Sequence, residues 1–233
     1  MNTLKKLTNI SNYDRHLPSS LGIQLSISSS KTGKIFSEIG VWMDGHLSWL
    51  TEKEWDLFPS YYEKGDLTIS LAYHLKSNLH ITLLDQADES GKGILRKILI
   101  KNQSNSEREV RIVFYQKSGM ESGSEKVTFY SPISKALIHH FDGEYTMVSG
   151  SFGSKSKQQF AAGDPKSTWN EAKGTLHLLP ISHQSTESMF TARLRLAPWG
   201  EKHGCMWMLH DQSIEQLHKE HERLLYDLES YSL

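Results

Sequence analysis

Trp169-Asn170-Glu171 follows a loop of small and turn-forming residues, AAGDPKS at 161–167. An indole beside an amide and a carboxylate can stack on a sugar ring and hydrogen-bond its hydroxyls. Trp55, just after LTEKE, is a second indole of this kind. The candidate carbohydrate contacts are therefore Trp55, Trp169 and Asn170. The competing role for each ring is to anchor its loop to a sheet. His210, His218 and His221 gather near the C-terminal end, and His218 and His221 can share a helical face. There is no HExxH spacing and no cysteine cluster, so no metal is expected. Cys205 sits between Gly204 and Met206-Trp207-Met208 and reads as a buried strand thiol, not a nucleophile. The chain has no Gly-x-Ser-x-Gly motif and no phosphate loop, and no cofactor is expected.

GVWMDGHLSWL, residues 40–50, holds two of the six tryptophans. Asp44-Gly45 is the pair that a two-residue hairpin loop prefers. Such a loop pairs Met43 with His46, Trp42 with Leu47 and Gly40 with Trp49. Trp42, Leu47, Trp49 and Gly40 then share one face, with Gly40 leaving room for the Trp49 ring. That face is expected to be buried in a core, because indoles carry a large apolar area.

Most of the chain reads as strands. In TISLAYHL, Ile69, Leu71, Tyr73 and Leu75 alternate with Thr68, Ser70, Ala72 and His74. LHITLLD sets Leu79, Ile81 and Leu83 on one face. REVRIVFYQ does the same with Val110, Ile112 and Phe114. MFTARLRLA places Phe190, Ala192, Leu194 and Leu196 opposite Thr191, Arg193 and Arg195. A period of two with one polar face marks antiparallel sheets that are wet on one side. Turn-forming stretches separate about a dozen such runs, which predicts a large sandwich. No crossover helices intervene, so a parallel sheet is not expected.

SIEQLHKEHERLLYDLESYSL reads as a helix. Ser213 and Gln216 fit a capping box. Ile214, Leu217, Leu224, Leu225 and Leu228 form an apolar stripe. It must be buried against the sandwich, a partner or a further domain. Tyr226 and Tyr231 lie off the stripe and are available to a second surface.

The chain of 233 residues has 26 Lys and Arg against 27 Asp and Glu, a formal net charge of −1. That balance leaves no electrostatic footprint for nucleic acid or an anionic membrane. One cysteine makes an intramolecular disulfide impossible. The opening MNTLKKLTNISNYDRHL has two lysines but no apolar run after them. Neither a secretory signal nor a transmembrane segment is read, and the cytoplasm is the expected compartment.

EIGVWMDGHLSWL, Trp55 and YYEKGDLTISL resemble the N-terminal β-sandwich domain of bacterial and archaeal glucoamylase-like enzymes, glycoside hydrolase family 15. The resemblance continues through LRKILIKNQSNSEREVRIVFYQ, FYSPISKALIHHFDGEYTMVSG and STWNEAKGTLHLLPISHQSTES, in the family's order, over roughly residues 35–225. It implies an all-β antiparallel super-sandwich, galactose mutarotase-like, over 1–210 and a linker-type C-terminal α-helix over 211–233. In the family an (α/α)6 barrel follows and supplies the catalytic carboxylates. The opening NISNYDRHLPSSLGIQLSISSSKTGKIF is shorter than the family's and lacks its glycines. No residue here matches the catalytic acid or base, so none is carried over.

The resemblance implies a non-catalytic domain that packs against and supports a barrel absent from this chain. The expected partners are that catalytic domain or a second copy, with Ile214, Leu217, Leu224, Leu225 and Leu228 as the interface, and α-glucan as a possible ligand. One alternative is a free-standing α-glucan-binding module. Another is a small sugar-modifying enzyme of mutarotase type, which needs a His and a carboxylate converging on a sugar ring. His139, His140 and Glu144 are the nearest candidates for that pair. His139 and His140 are adjacent on a strand, so one faces in and one faces out.

Overall fold

The computed structural model describes residues 24–29, 33–63, 67–119, 126–153, 156–183 and 185–230. Most of the shortened opening segment and Tyr231 lie outside the described residues. The described chain is an antiparallel β-sandwich with a C-terminal helix, as the period-two runs predict. One sheet has six strands. In spatial order they are β1 (Leu25–Ser29), β2 (Gly33–Met43), β8 (Arg108–Ser118), β16 (Glu187–Leu196) and β12 (Lys157–Ala162), with β3 (His46–Trp49) paired to β2. The other has nine: β15 (Ile181–His183), β9 (Lys126–Ser131), β10 (Ala136–Phe141), β11 (Glu144–Ser151), β17 (Glu201–Asp211), β7 (Gly93–Asn102), β6 (Leu79–Ala87), β5 (Leu67–His74) and β4 (Trp55–Glu63). A small ribbon, β13 (Trp169–Asn170) with β14 (Thr175–Leu176), follows the short α1 (Pro165–Thr168). The helix α2 spans Ile214–Ser230.

The main core lies between the sheets. Val110, Ile112 and Phe114 enter it from β8, and Phe190, Ala192, Leu194 and Leu196 from β16. Leu79, Ile81 and Leu83 enter from β6. Phe114 stacks on Phe190 with centroids 4.4 Å apart. Arg96 is also buried, and it donates from Nε and Nη2 to the two carboxylate oxygens of Asp85 at 2.6 and 2.7 Å. A bidentate pair of this kind satisfies the charge that burial would otherwise leave bare.

Two segments, β5 and the tryptophan hairpin, turn the opposite way from the expectation. In β5 the buried residues are Thr68, Ser70, Ala72 and His74, while Leu71 is exposed and Ile69 and Tyr73 are half-buried; Leu75, just past the strand, is exposed too. The pairing explains this. Ser70 opposes Leu83, Ala72 opposes Ile81 and His74 opposes Leu79. Directly opposed residues point to the same side, and β6 must keep its three aliphatic residues in the core. The apolar row of β5 is therefore driven outward.

The tryptophan hairpin is inverted for the same reason. Its register is the expected one, with Gly40 opposite Trp49 and Trp42 opposite Leu47. On the other side of β2, however, Ile39 opposes Phe114 and Val41 opposes Ile112. Val41, Met43 and Ser48 are thus buried inward. Trp42 and Trp49 are half-buried on the outer face of the six-stranded sheet, not in the inter-sheet core.

The stripe of α2 lies on the outer face of the nine-stranded sheet. Leu217 and Leu224 are buried there with Leu95, Ala136, Ile138, Met147, Trp207 and Leu209, and Ile214, Leu225 and Leu228 flank them. Ser213 caps the helix by accepting from Gln216 N at 3.3 Å. The N–H of Ser213 goes to Asp211 Oδ1 at 2.9 Å, so Asp211 takes the partner role that a capping box assigns to Gln216.

Candidate functional site

The outer face of the six-stranded sheet gathers four aromatic residues. Asp44 and Gly45 take φ of +53° and +87°, the left-handed pair of a tight primed turn. A Cβ at Gly40 would lie 2.9 Å from Trp49 Cε3, so only glycine lets that indole lie across β2. Trp49 meets Tyr115 edge-on at 6.0 Å. Tyr115 donates from its hydroxyl to Glu187 Oε1 at 2.8 Å, and burial with this carboxylate raises its pKa. Opposite Trp42 on β8 stands Arg111, whose guanidinium carbon is 5.1 Å from the indole centroid. That distance is within the range of a cation–π contact.

The loop after β12 closes over this face. Asp164 caps α1 by accepting from Lys166 N at 2.8 Å. Past β13, Glu171 becomes the node of the site. Its backbone carbonyl accepts from Trp42 Nε1 at 2.7 Å. Its Oε1 accepts from Leu47 N at 2.6 Å, and its Oε2 accepts from Trp169 Nε1. Arg111 Nη1 donates to the carbonyl of Gly174. Gly174 has φ +59°, and a Cβ there would overlap the Trp42 ring. Trp42, Trp49, Tyr115 and Trp169 thus lie over Val113, Ala161, Leu176 and Met189 as a second, smaller core.

Of the sequence candidates, Trp169 and Asn170 reach this face and Trp55 does not. Trp169 is half-buried with its indole N–H already given to Glu171. Asn170 Oδ1 accepts from Lys173 N at 3.1 Å and shapes the turn. Trp55 is only 4% exposed, donates to Ser48 Oγ at 3.1 Å and packs edge-on against His74. Its ring lies in the main core and offers no face to a sugar. The residue that organises the site, Glu171, stood in the same stretch. Its contact with Trp169 is local, but Trp42 and Leu47 are more than a hundred positions away, and no local pattern points to them.

The acid–base candidates separate. His139 is fully buried between the sheets, with Nδ1 3.2 Å from Thr128 Oγ1 and Nε2 3.0 Å from Ser188 Oγ. Thr128 donates its hydroxyl hydrogen to Ser185 O, and Ser188 donates its own to Gln116 Oε1. Burial pushes the His139 pKa down to about 4. His140 faces the other way and stacks on Tyr145 at 4.5 Å. Glu144 meets His210 instead, at 3.4 Å. His221 accepts from Trp207 Nε1 at 3.1 Å beneath the helix. Burial raises the Cys205 thiol to about 11, which keeps it protonated. Among the described residues no three His, Cys, Asp or Glu side chains form a metal-ligating cluster. No helix is long and apolar enough to cross a membrane, again among the described residues.

A bacterial glucoamylase solved in complex with acarbose superposes on this chain with a TM-score of 0.61. The sandwich is shared with that glucoamylase. The match covers 86% of this chain and 30% of the glucoamylase chain at 15% identity, so it speaks for the fold. The present chain therefore spans less than a third of the glucoamylase it resembles. A protein from the human microbiome described as a kojibiose phosphorylase matches over 91% of this chain and 29% of its own, at 10% identity and a TM-score of 0.49. No protein-family model and no curated protein sequence matches the chain.

Proposed function

We propose that this chain is a non-catalytic sandwich domain of a glucoamylase-like, α-glucan-hydrolysing enzyme, and that it packs against and supports a catalytic barrel. One observation carries the reading. Phe58 and Leu71 are direct cross-strand partners on β4 and β5, and they point outward at 50% and 39% exposure. Ile69 and Tyr73 continue the row, and Leu84 opposes Ile69. This apolar strip lies on the same outer sheet face as α2. An apolar strip of this kind favours a protein partner. The fold shared with part of a glucoamylase supports the choice of a sugar-hydrolase partner.

The chain alone is expected to release no glucose from maltose or longer α-glucans. Mixed with a glucoamylase-type barrel from the same genome, it should form a 1:1 complex by light scattering. Phe58→Glu with Leu71→Glu should abolish that complex while leaving the melting temperature close to the parent's. Glucose release by the pure chain, or a complex indifferent to these substitutions, would overturn the reading.

A second reading, an α-glucan-binding module, is favoured by the half-exposed aromatic face of Trp42, Trp49 and Trp169. The indole N–H groups of Trp42 and Trp169 are spent on Glu171, so only the rings remain for a sugar. Maltoheptaose binding that disappears in Trp49→Ala without loss of stability would favour the module.

A further inference from the structure

The β12 ladder ends at Lys157, whose partner on β16 is Arg193. Among the described residues, β16 continues through Leu194, Arg195 and Leu196 with no strand beside it on that side. A groove of about 680 Å³ opens there, with Phe152 and Leu194 as its apolar part. Phe152 settles into place because Gly204 is bare: a Cβ at that position would overlap the ring.

Four cations flank the groove. Lys157, Arg193 and Arg195 come from the six-stranded sheet, and Lys202 comes from β17 of the other; alternation with buried Leu194 turns the heads of the two arginines to the outer face, so they border the groove without entering it. Glu109 is the carboxylate that meets them. It pairs with Arg193 Nη2 and lies 3.9 Å from Arg195 Nε. Lys157 and Lys202 are exposed and have no carboxylate partner among the described residues. Ser156 Oγ is buried at the same groove without a hydrogen-bond partner among those residues. Over the whole chain Lys and Arg number 26 against 27 Asp and Glu, so four cations facing one carboxylate is a local excess created by the fold.

The geometry points to a binding site for a phosphate group, free or carried as a monoester on a sugar. A phosphate monoester is close to a dianion at neutral pH and has three acceptor oxygens. Two ammonium groups without a carboxylate partner and an unsatisfied hydroxyl suit that charge and number of acceptors. The volume falls within the range of about 300–1,000 Å³ typical of small-molecule sites. An extended polyanion is a poor match, because the excess is confined to one groove on a chain with a net charge of −1. The inference is independent of the proposed partner domain.

Calorimetric titration of the full chain tests it, with inorganic phosphate, glucose 1-phosphate, glucose 6-phosphate and uncharged maltose as probes. At least one phosphate ligand should bind, and its affinity should fall about tenfold between about 20 and 200 mM salt as screening grows. The exposed pair Lys157→Glu and Lys202→Glu should abolish binding without shifting the melting temperature. If the sugar phosphates bind more tightly than inorganic phosphate, the source is an ester; the reverse order assigns the groove to the free ion. Absence of binding by every phosphate probe would overturn the site. So would binding that survives the double variant, or maltose binding as tight as the phosphates.

Discussion

The indole N–H of Trp42 donates to the backbone carbonyl of Glu171 at 2.7 Å across 129 positions of sequence. The same glutamate holds Leu47 and Trp169 through its carboxylate. One loop residue thus fastens a hairpin, an indole and its own turn to the outer face of a sheet.

Glu171→Ala should cost about 1–2 kcal/mol. It removes a charged acceptor from two N–H donors while leaving the backbone bond to Trp42, and the site is partly wet. Urea unfolding followed by tryptophan fluorescence measures the loss. Glu171→Gln, which keeps one carbonyl oxygen, should recover part of it.

Gly174→Ala is expected to destabilise by about 1–3 kcal/mol, because it forces a side chain into a left-handed backbone. Its Cβ would also press into the Trp42 ring. Near-ultraviolet circular dichroism should report a moved indole. An unchanged spectrum and unchanged stability would show that the loop does not close as described.

Asp85→Ala leaves the buried Arg96 guanidinium without its bidentate carboxylate. Breaking a buried pair from one side costs about 3–5 kcal/mol. Replacing both partners, as Asp85→Leu with Arg96→Met, should cost much less. Equal losses in the single and double variants would contradict the pairing.

Acid should weaken the fold partly through His139. Burial holds its folded pKa at about 4 against an ordinary 6.5. As pH falls the unfolded chain takes up the proton first. The contribution of neutral His139 is therefore complete above pH 6.5 and is lost progressively towards about pH 4. Between about pH 7.5 and about pH 5 the loss from this one group is about 2 kcal/mol. His74, His210 and His221, also lowered by burial, act in the same direction. Urea unfolding of parent and His139→Gln at both pH values isolates the share of His139. The variant should lose less stability on acidification than the parent.

Much of this protein could be read from local chemistry. Asp44-Gly45 specifies a two-residue turn, and the turn alone sets Gly40 opposite Trp49 and Trp42 opposite Leu47. The spacing of Ile214, Leu217, Leu224 and Leu228 marks one face of a helix wherever that face is buried. Alternation along β6, β8 and β16 names the residues that enter the core, because each run has one strongly aliphatic side. Alternation did not decide which side of the hairpin or of β5 turns inward. In both strands each face has something to bury, and the choice belongs to the neighbour: Ile112 and Phe114 draw Val41 and Ile39 inward, and Ile81 and Leu83 draw Ala72 and Ser70 with them. The same ladders turned Trp42 and Leu71 outward. Glu171, Gly174 and the basic groove likewise depend on contacts between residues distant in the chain. No local pattern encodes such contacts; they exist only once both sheets are assembled.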